Sequence, residues 1–380
     1  MNLRLLYLVL VIYSVNVGIL VTIIPLYSNS IGANEMVVGL IVSTYAIAYV
    51  AASPLWGKAS DLLGRKLALG LGMLGCSAVI PLFSIAADPN QLVLIRLFQG
   101  FADASFWIVP TIIVADVCGP SERGMALGKI GTFQGMGFII GPLLGGLLSE
   151  QLGYSYLFYI CSGLAFLTAL LVFFGLQKMS KVKDEDSYKV RPRFKAVATK
   201  SFTIAYFHTV LSAVFFGVIV SQFVLHADEI LGKEYLVGFL LTGYYIVETF
   251  IQPAAGKLSD SIGRHWTILL AFVACAFGFA MLILTSSFVS FSIAIMIIGG
   301  GIGGLYVSLT ALLMDAASSS QRGLVAGIQN IAWGIGYFIG PAVGGIAATS
   351  SFSATYMLCI IASIIGGTLT LISQYRISTD

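Results

Sequence analysis

Long apolar runs separated by short polar stretches recur along the whole chain. Twelve of these runs are long enough to form spans, beginning near Leu5, Met36, Leu67, Leu92, Arg123, Tyr154, Phe202, Leu236, Trp266, Phe288, Arg322 and Ala354. A helix of about 20 apolar residues crosses a bilayer. The runs are continuous and lack the period-two alternation of a lipid-facing strand, which excludes a closed β-barrel. Helices remain, because lipid-exposed backbone must satisfy its own hydrogen bonds. The first run is long and ends in "IIPLYSNSIG" without a small-x-small cleavage signal, so it is expected to stay as a span.

Composition agrees with that pattern. Of the 380 residues, 58% are hydrophobic and 10% charged, with a mean hydropathy of +0.96, whereas soluble domains are about 25% charged. Lys and Arg placement gives the orientation. With both termini cytoplasmic, Arg4, Lys58, Arg65, Lys66, Arg123, Lys129, the cluster from Lys178 to Lys200, Lys257, Arg264, Arg322 and Arg376 all fall inside, and Lys233 alone lies in an outer loop. The expected location is the cell membrane, multi-pass, N-in and C-in. The net charge of +3 follows from this bias and does not suggest nucleic-acid binding. Cys76, Cys118, Cys161, Cys275 and Cys359 show neither metal-ligand spacing nor a disulfide framework, and read as apolar core residues.

A polar decapeptide interrupts the pattern twice. "GKASDLLGRK" begins at Gly57 and "GKLSDSIGRH" at Gly256, 199 residues on, with Gly, Lys, Ser, Asp, Gly and Arg in register. The same offset pairs Glu35 with Glu234, Tyr45 with Tyr244, Pro54 with Pro253, Asp116 with Asp315, Arg123 with Arg322, Gly141 with Gly340 and Pro142 with Pro341. Six spans per copy make the copies parallel and pseudo-symmetric about an axis along the membrane normal. The expected organisation is a six-helix bundle over 1–176, a basic cytoplasmic linker over 177–200 and a second bundle over 201–380.

Here a resemblance becomes specific. The decapeptide is similar to the loop 2–3 signature of the major facilitator superfamily, "RLFQGFADA" from Arg96 resembles its helix-4 signature, and "GFIIGPLLGG" from Gly137 resembles the helix-5 signature of the twelve-helix drug:proton antiporter branch. The resemblance implies an alternating-access, proton-coupled transporter. It also implies conformational roles for Gly57, Asp61, Gly64, Arg65, Asp116, Arg123, Asp260, Gly263, Arg264, Asp315 and Arg322. From the residues alone, Gly57 and Gly64 suit a tight turn, and Asp61–Arg123 and Asp260–Arg322 are expected as charge-assisted pairs. Gly137, Gly141 and Gly145 recur every fourth residue, as do Gly336, Gly340 and Gly344. With Pro142 and Pro341 they describe close helix packing.

Repeated polar residues belong to scaffold and gates, so the informative ones are those that are not repeated. Arg96, Asp103, His208 and Glu248 lie inside spans opposite Ile295, Ile302, Val9 and Tyr49. A buried ionisable group costs about 2.5–3.5 kcal/mol on insertion scales and reads first as functional. Asp103 stands where the resembling family usually has a small residue. Arg96, Gln99, Asp103 and Trp107 fall on one helical face, and Trp107 offers an aromatic surface beside the carboxyl, suited to a lipophilic cation. Arg96 is roughly 10 Å from Asp103 along the axis, so Gln99 or water is expected to bridge them. Glu248 is a second candidate carboxylate, and His208 can titrate but fits a packing role better. Asn16, Gln134, Gln222, Tyr244, Asn330, Trp333 and Tyr337 lie on spans that line the central cavity in the family, and together predict an amphipathic pocket.

The expected function is proton-coupled export of small hydrophobic or cationic amphipathic compounds. The alternatives are a proton symporter importing a sugar, carboxylate or other metabolite, with Arg96 as an anion ligand, and a non-transporting receptor or scaffold. The expected partners are a small-molecule substrate, protons and the lipid bilayer; the chain is expected to be monomeric, with no cofactor, metal or nucleic acid. Gly299, Gly301 and Gly304 spell G-x-G-x-x-G, but no strand precedes them. No Walker A sequence and no catalytic motif is present, so neither an ATP-driven pump nor an enzyme is expected.

Overall fold

The computed structural model describes residues 3–177, 199–318 and 321–377. The basic linker lies outside them almost entirely. Twelve long helices make up the described chain. They are α1 (Leu3–Ser30), α2 (Glu35–Leu63), α3 (Arg65–Val79, prolonged by a 3-10 turn over Ile80–Ile85), α4 (Pro89–Val117), α5 (Pro120–Leu152) and α6 (Tyr154–Leu170, ending in a π turn over Leu171–Gly175). Then follow α7 (Lys200–Val218, continued by a π turn over Ile219–Phe223 and by Val224–Leu231), α8 (Glu234–Ile262), α9 (Arg264–Leu284), α10 (Phe288–Ala316), α11 (Arg322–Ala348) and α12 (Phe352–Ile377). Among the described residues, eleven helices are long and apolar enough to cross a membrane. The twelfth is α8, in which Glu248 and Gln252 dilute a 29-residue helix.

Local chemistry sets the helix ends. Asn34 caps α2 by accepting from Val37 N at 3.0 Å, and Asp88 caps α4 by accepting from Asn90 N at 2.6 Å, with Pro89 in the first turn. Ser287 and Ser290 form a reciprocal capping box on α10. Single glycines make the sharpest reversals. Gly64 joins α2 to α3 at φ +94° and Gly263 joins α8 to α9 at φ +97°. A Cβ would strain both. Gly57, expected to share that turn, instead lies inside α2 with open space around it. The helix runs on to Leu63, so Gly64 makes the turn alone.

The chain forms two compact units, one of 1–183 with 232–242 and the other of 184–231 with 243–380. Each has its own core. In the first, α1 packs along α5, α2 along α4, and α3 against α4 and α6. In the second, α7 packs along α11, and α9 against α10 and α12, the same arrangement one repeat later. The glycine–proline approaches between α1 and α5 and between α7 and α11 are repeated too. A Cβ on Gly18 would come within 2.9 Å of Pro142 Cδ, and one on Gly217 within 2.6 Å of Pro341 Cδ. On the facing side, a Cβ on Gly141 would meet Gly18 Cα at 2.6 Å. Small residues thus bring backbones into contact, which drives helix association where the surrounding lipid is as apolar as the side chains. Cys76, Cys161, Cys275 and Cys359 are buried and unpaired among these helices.

Candidate functional site

Asp103 lies on the buried face of α4 at 1% exposure, with Arg96 at 6% and Gln99 at 3% on the same face. The predicted stripe is present, but the bridging group differs from the one expected. Arg96 Nη1 donates to Gln99 Oε1 at 2.9 Å, and Arg96 Nε donates to Ile41 O at 3.3 Å. The guanidinium then lies 4.5 Å above the ring of Tyr45 on α2. Tyr45 Oη donates to Asp103 Oδ2 at 2.6 Å and accepts from Trp107 Nε1 at 3.0 Å. Tyr45 therefore links Arg96, Asp103 and Trp107. Tyr13 of α1 lies near the carboxyl, and its ring packs on Phe106 with centroids 4.5 Å apart. Asp103 Oδ1 has no partner. A carboxylate so placed depends on a few fixed donors for its charged form, since water does not reach it.

In the second unit Glu248 is half-buried on α8. Gln252 Nε2 donates to its Oε1 at 3.4 Å. Tyr244 and Tyr245 lie one turn before it on α8, and α10 packs against it at Gly303, one turn before Tyr306. Trp333 and Tyr337 of α11 lie nearby, packed on Phe216 of α7 at 5.6 and 5.2 Å.

The repeated decapeptides form ion networks at the α2–α3 and α8–α9 turns. Arg65 binds Asp61 at 2.5 Å, Asp116 at 2.7 Å and Ser60 Oγ at 2.8 Å. Arg264 binds Asp260 at 2.5 Å, Asp315 at 3.0 Å and Ser259 Oγ at 3.2 Å. This corrects the expected pairing. Asp260 is held by Arg264 rather than by Arg322, because Gly263 folds the next helix back and places Arg264 four residues on, against both acids. Asp61 is held by Arg65 in the same way; the side chain of Arg123 lies outside the described ones. Each pair is partly exposed and contributes roughly 0.2–1 kcal/mol.

The sequence profile of the Major Facilitator Superfamily matches residues 6–228 and 202–377. The chain belongs to the Major Facilitator Superfamily. It is a membrane transporter of small molecules and not an enzyme. It is 26% identical over 357 residues to multidrug resistance protein MdtG of Citrobacter koseri, covering 90% of this chain and 86% of that one. It is 27% identical over 329 residues to the class B tetracycline resistance protein of Escherichia coli, covering 83% and 80%. An uncharacterized MFS-type transporter of Methanocaldococcus jannaschii is 24% identical over 356 residues, covering 90% and 92%. Among solved structures, an inward-facing, occupied bacterial homologue of the human lysosomal transporter Spinster superposes with a TM-score of 0.83 at 14% identity, over 98% and 96% of the two chains. The nucleoside transporter NupG does so with 0.77 at 15% identity, over 98% and 99%.

Of the other candidates in this superfamily member, His208 is 2% exposed. Its Nε2 lies 3.0 Å from Gly366 O of α12, with Thr370 Oγ1 at 3.5 Å, a helix-to-helix tie. Asn16 is fully buried one turn from Tyr13, and both its amide atoms lack partners. Gln222 is buried in the π turn of α7, while Gln134 and Asn330 are half-buried on α5 and α11. Tyr13 and Tyr45 were not among the sequence candidates. Tyr45 looked like scaffold because Tyr244 repeats it, and nothing in the spacing marks Tyr13.

Proposed function

We propose that this chain is a proton-coupled secondary transporter that works by alternating access and exports small hydrophobic or cationic amphipathic compounds, with Asp103 carrying the coupling proton. The observation behind this reading is a carboxyl at 1% exposure with one oxygen bound by Tyr45 and the other unpartnered. The charged form of such a group depends on the Tyr45 hydroxyl, with Arg96 over the same ring, and a proton binds when that support changes. Charge and conformation are thereby linked. The names of the multidrug and tetracycline resistance relatives support export, as does the helix-5 motif around Gly141 and Pro142. Arg96 is already bound to Gln99, Ile41 and the Tyr45 ring, which argues against its serving as an anion ligand for an imported metabolite.

The test is transport by purified protein in liposomes under an imposed pH gradient, with ethidium as the reporter. Asp103→Asn is expected to abolish gradient-driven transport while keeping the thermal unfolding profile. Gradient-driven accumulation that survives in that variant rejects the coupling role.

A further inference from the structure

The second unit keeps the aromatic framework of the first and moves the acid. At the 199-residue offset Tyr45 becomes Tyr244, Trp107 becomes Tyr306, Phe138 becomes Tyr337 and Gln134 becomes Trp333. Asp103 becomes Ile302, buried at 1% exposure, while Tyr49 becomes Glu248. The carboxylate has left the α4-type helix for the α2-type helix, one turn beyond the tyrosine that binds it in the first unit. Its surroundings change with it. Asp103 is shut between hydroxyls, but Glu248 is half-buried beside Tyr306, which is 47% exposed. From Tyr306 the rings continue to Trp333 at 6.2 Å, from Trp333 to Phe216 at 5.6 Å and from Phe216 to Tyr337 at 5.2 Å. The Glu248 helix packs directly on α10 at this level, where a Cβ on Gly303 would meet Glu248 O at 2.6 Å, and Tyr306 lies one turn on from Gly303. Among the described residues no Lys, Arg or His pairs with Glu248, and its hydrogen bond is to the Gln252 amide.

A carboxylate at membrane depth calls for a proton or a cation, and among the described residues of this unit no cationic side chain pairs with Glu248. One carboxylate without further oxygen ligands is a poor site for a hard metal ion, which takes six or more oxygens. Aromatic faces beside it favour a weakly hydrated organic cation, which the ring quadrupole attracts. We propose that Glu248, with Tyr306, Trp333, Phe216 and Tyr337, forms the seat for the charged group of the exported compound, an organic ammonium or phosphonium on an apolar body. The inference rests on the export reading above and divides the labour between the units: Asp103 serves the proton, Glu248 the cargo.

Calorimetric titration of the purified full chain in detergent, with no gradient present, tests this apart from coupling. The probes are tetraphenylphosphonium, whose charge does not titrate, and neutral triphenylphosphine oxide. Wild type is expected to bind the cation more tightly. Glu248→Gln is expected to weaken it by about tenfold or more while leaving the neutral probe unchanged. Equal affinity of wild type and Glu248→Gln for tetraphenylphosphonium, or no binding of it by wild type, overturns the proposal. Should Glu248→Gln not fold, Trp333→Leu is measured instead, with selective loss of the cation expected and unchanged affinity overturning the idea. Because no pH gradient enters, a failed coupling role for Asp103 would leave this result standing, and the reverse.

Discussion

Tyr45 and Tyr244 occupy the same place in the two repeats and make opposite demands on their surroundings. The Tyr45 hydroxyl joins Asp103 to Trp107. The Tyr244 hydroxyl is buried at 0% exposure with no partner, since Ile302 stands where the acid would be. Removing a hydroxyl that serves buried partners costs about 1–3 kcal/mol, whereas removing an unsatisfied one is near neutral or favourable. Tyr45→Phe is therefore expected to lower the apparent Tm by several degrees, and Tyr244→Phe to leave it unchanged or raise it. Thermal unfolding of the two variants followed by tryptophan fluorescence decides the matter, and equal losses would contradict the assignment. The pair also shows where sequence reading stops. Repetition marks Tyr45 as scaffold, yet its role comes from the unrepeated Asp103 across the helix pair. Which residue across a helix pair meets Asp103 is a matter of three-dimensional packing.

At the scale of the helix, the apolar runs place every span to within three residues of its observed start. The small offsets have one cause. The first turns carry polar residues such as Glu35, Arg65, Lys200 and Glu234, which belong to the helix but not to the apolar run. The 3-10 ending of α3 and the π turns of α6 and α7 carry no mark in the hydrophobic pattern, because all three helix types satisfy backbone groups equally well to a reader of side chains. The glycines of α5 separate by environment in a way spacing cannot show. Gly141 faces the α1 backbone, and its added Cβ would lie 2.6 Å from Gly18 Cα, while Gly131 has nothing within 4 Å. Gly141→Ala is expected to cost about 1–3 kcal/mol through forced separation of the helices. Gly131→Ala is expected to be neutral or to stabilise by up to about 1 kcal/mol through helix propensity. Apparent Tm values of the two in one detergent test this, and a tolerated Gly141→Ala would show that the α1–α5 contact yields more easily than its geometry indicates.

At the scale of the whole molecule, the repeat explains both what is shared and what is not. The networks around Arg65 and Arg264 are near copies, and the carboxylates Asp103 and Glu248 are where the copies part. Membrane sidedness follows from charge and helix parity. Between exposed Lys58 at the end of α2 and exposed Lys233 before α8 lie five helices, α3 to α7. An odd number of crossings puts the two residues on opposite sides. The excess of Lys and Arg beside Lys58 predicts that this end faces the cytoplasm, because cationic loops resist translocation. In a Cys118→Ser background, where the remaining cysteines are buried, Lys233→Cys is expected to react with an impermeant maleimide in intact cells. Lys58→Cys is expected to react only after permeabilisation. Labelling of both from outside would mean that one of the five helices α3 to α7 does not cross. Labelling of Lys58→Cys alone would invert the chain and put the Arg65 and Arg264 networks at the outer face.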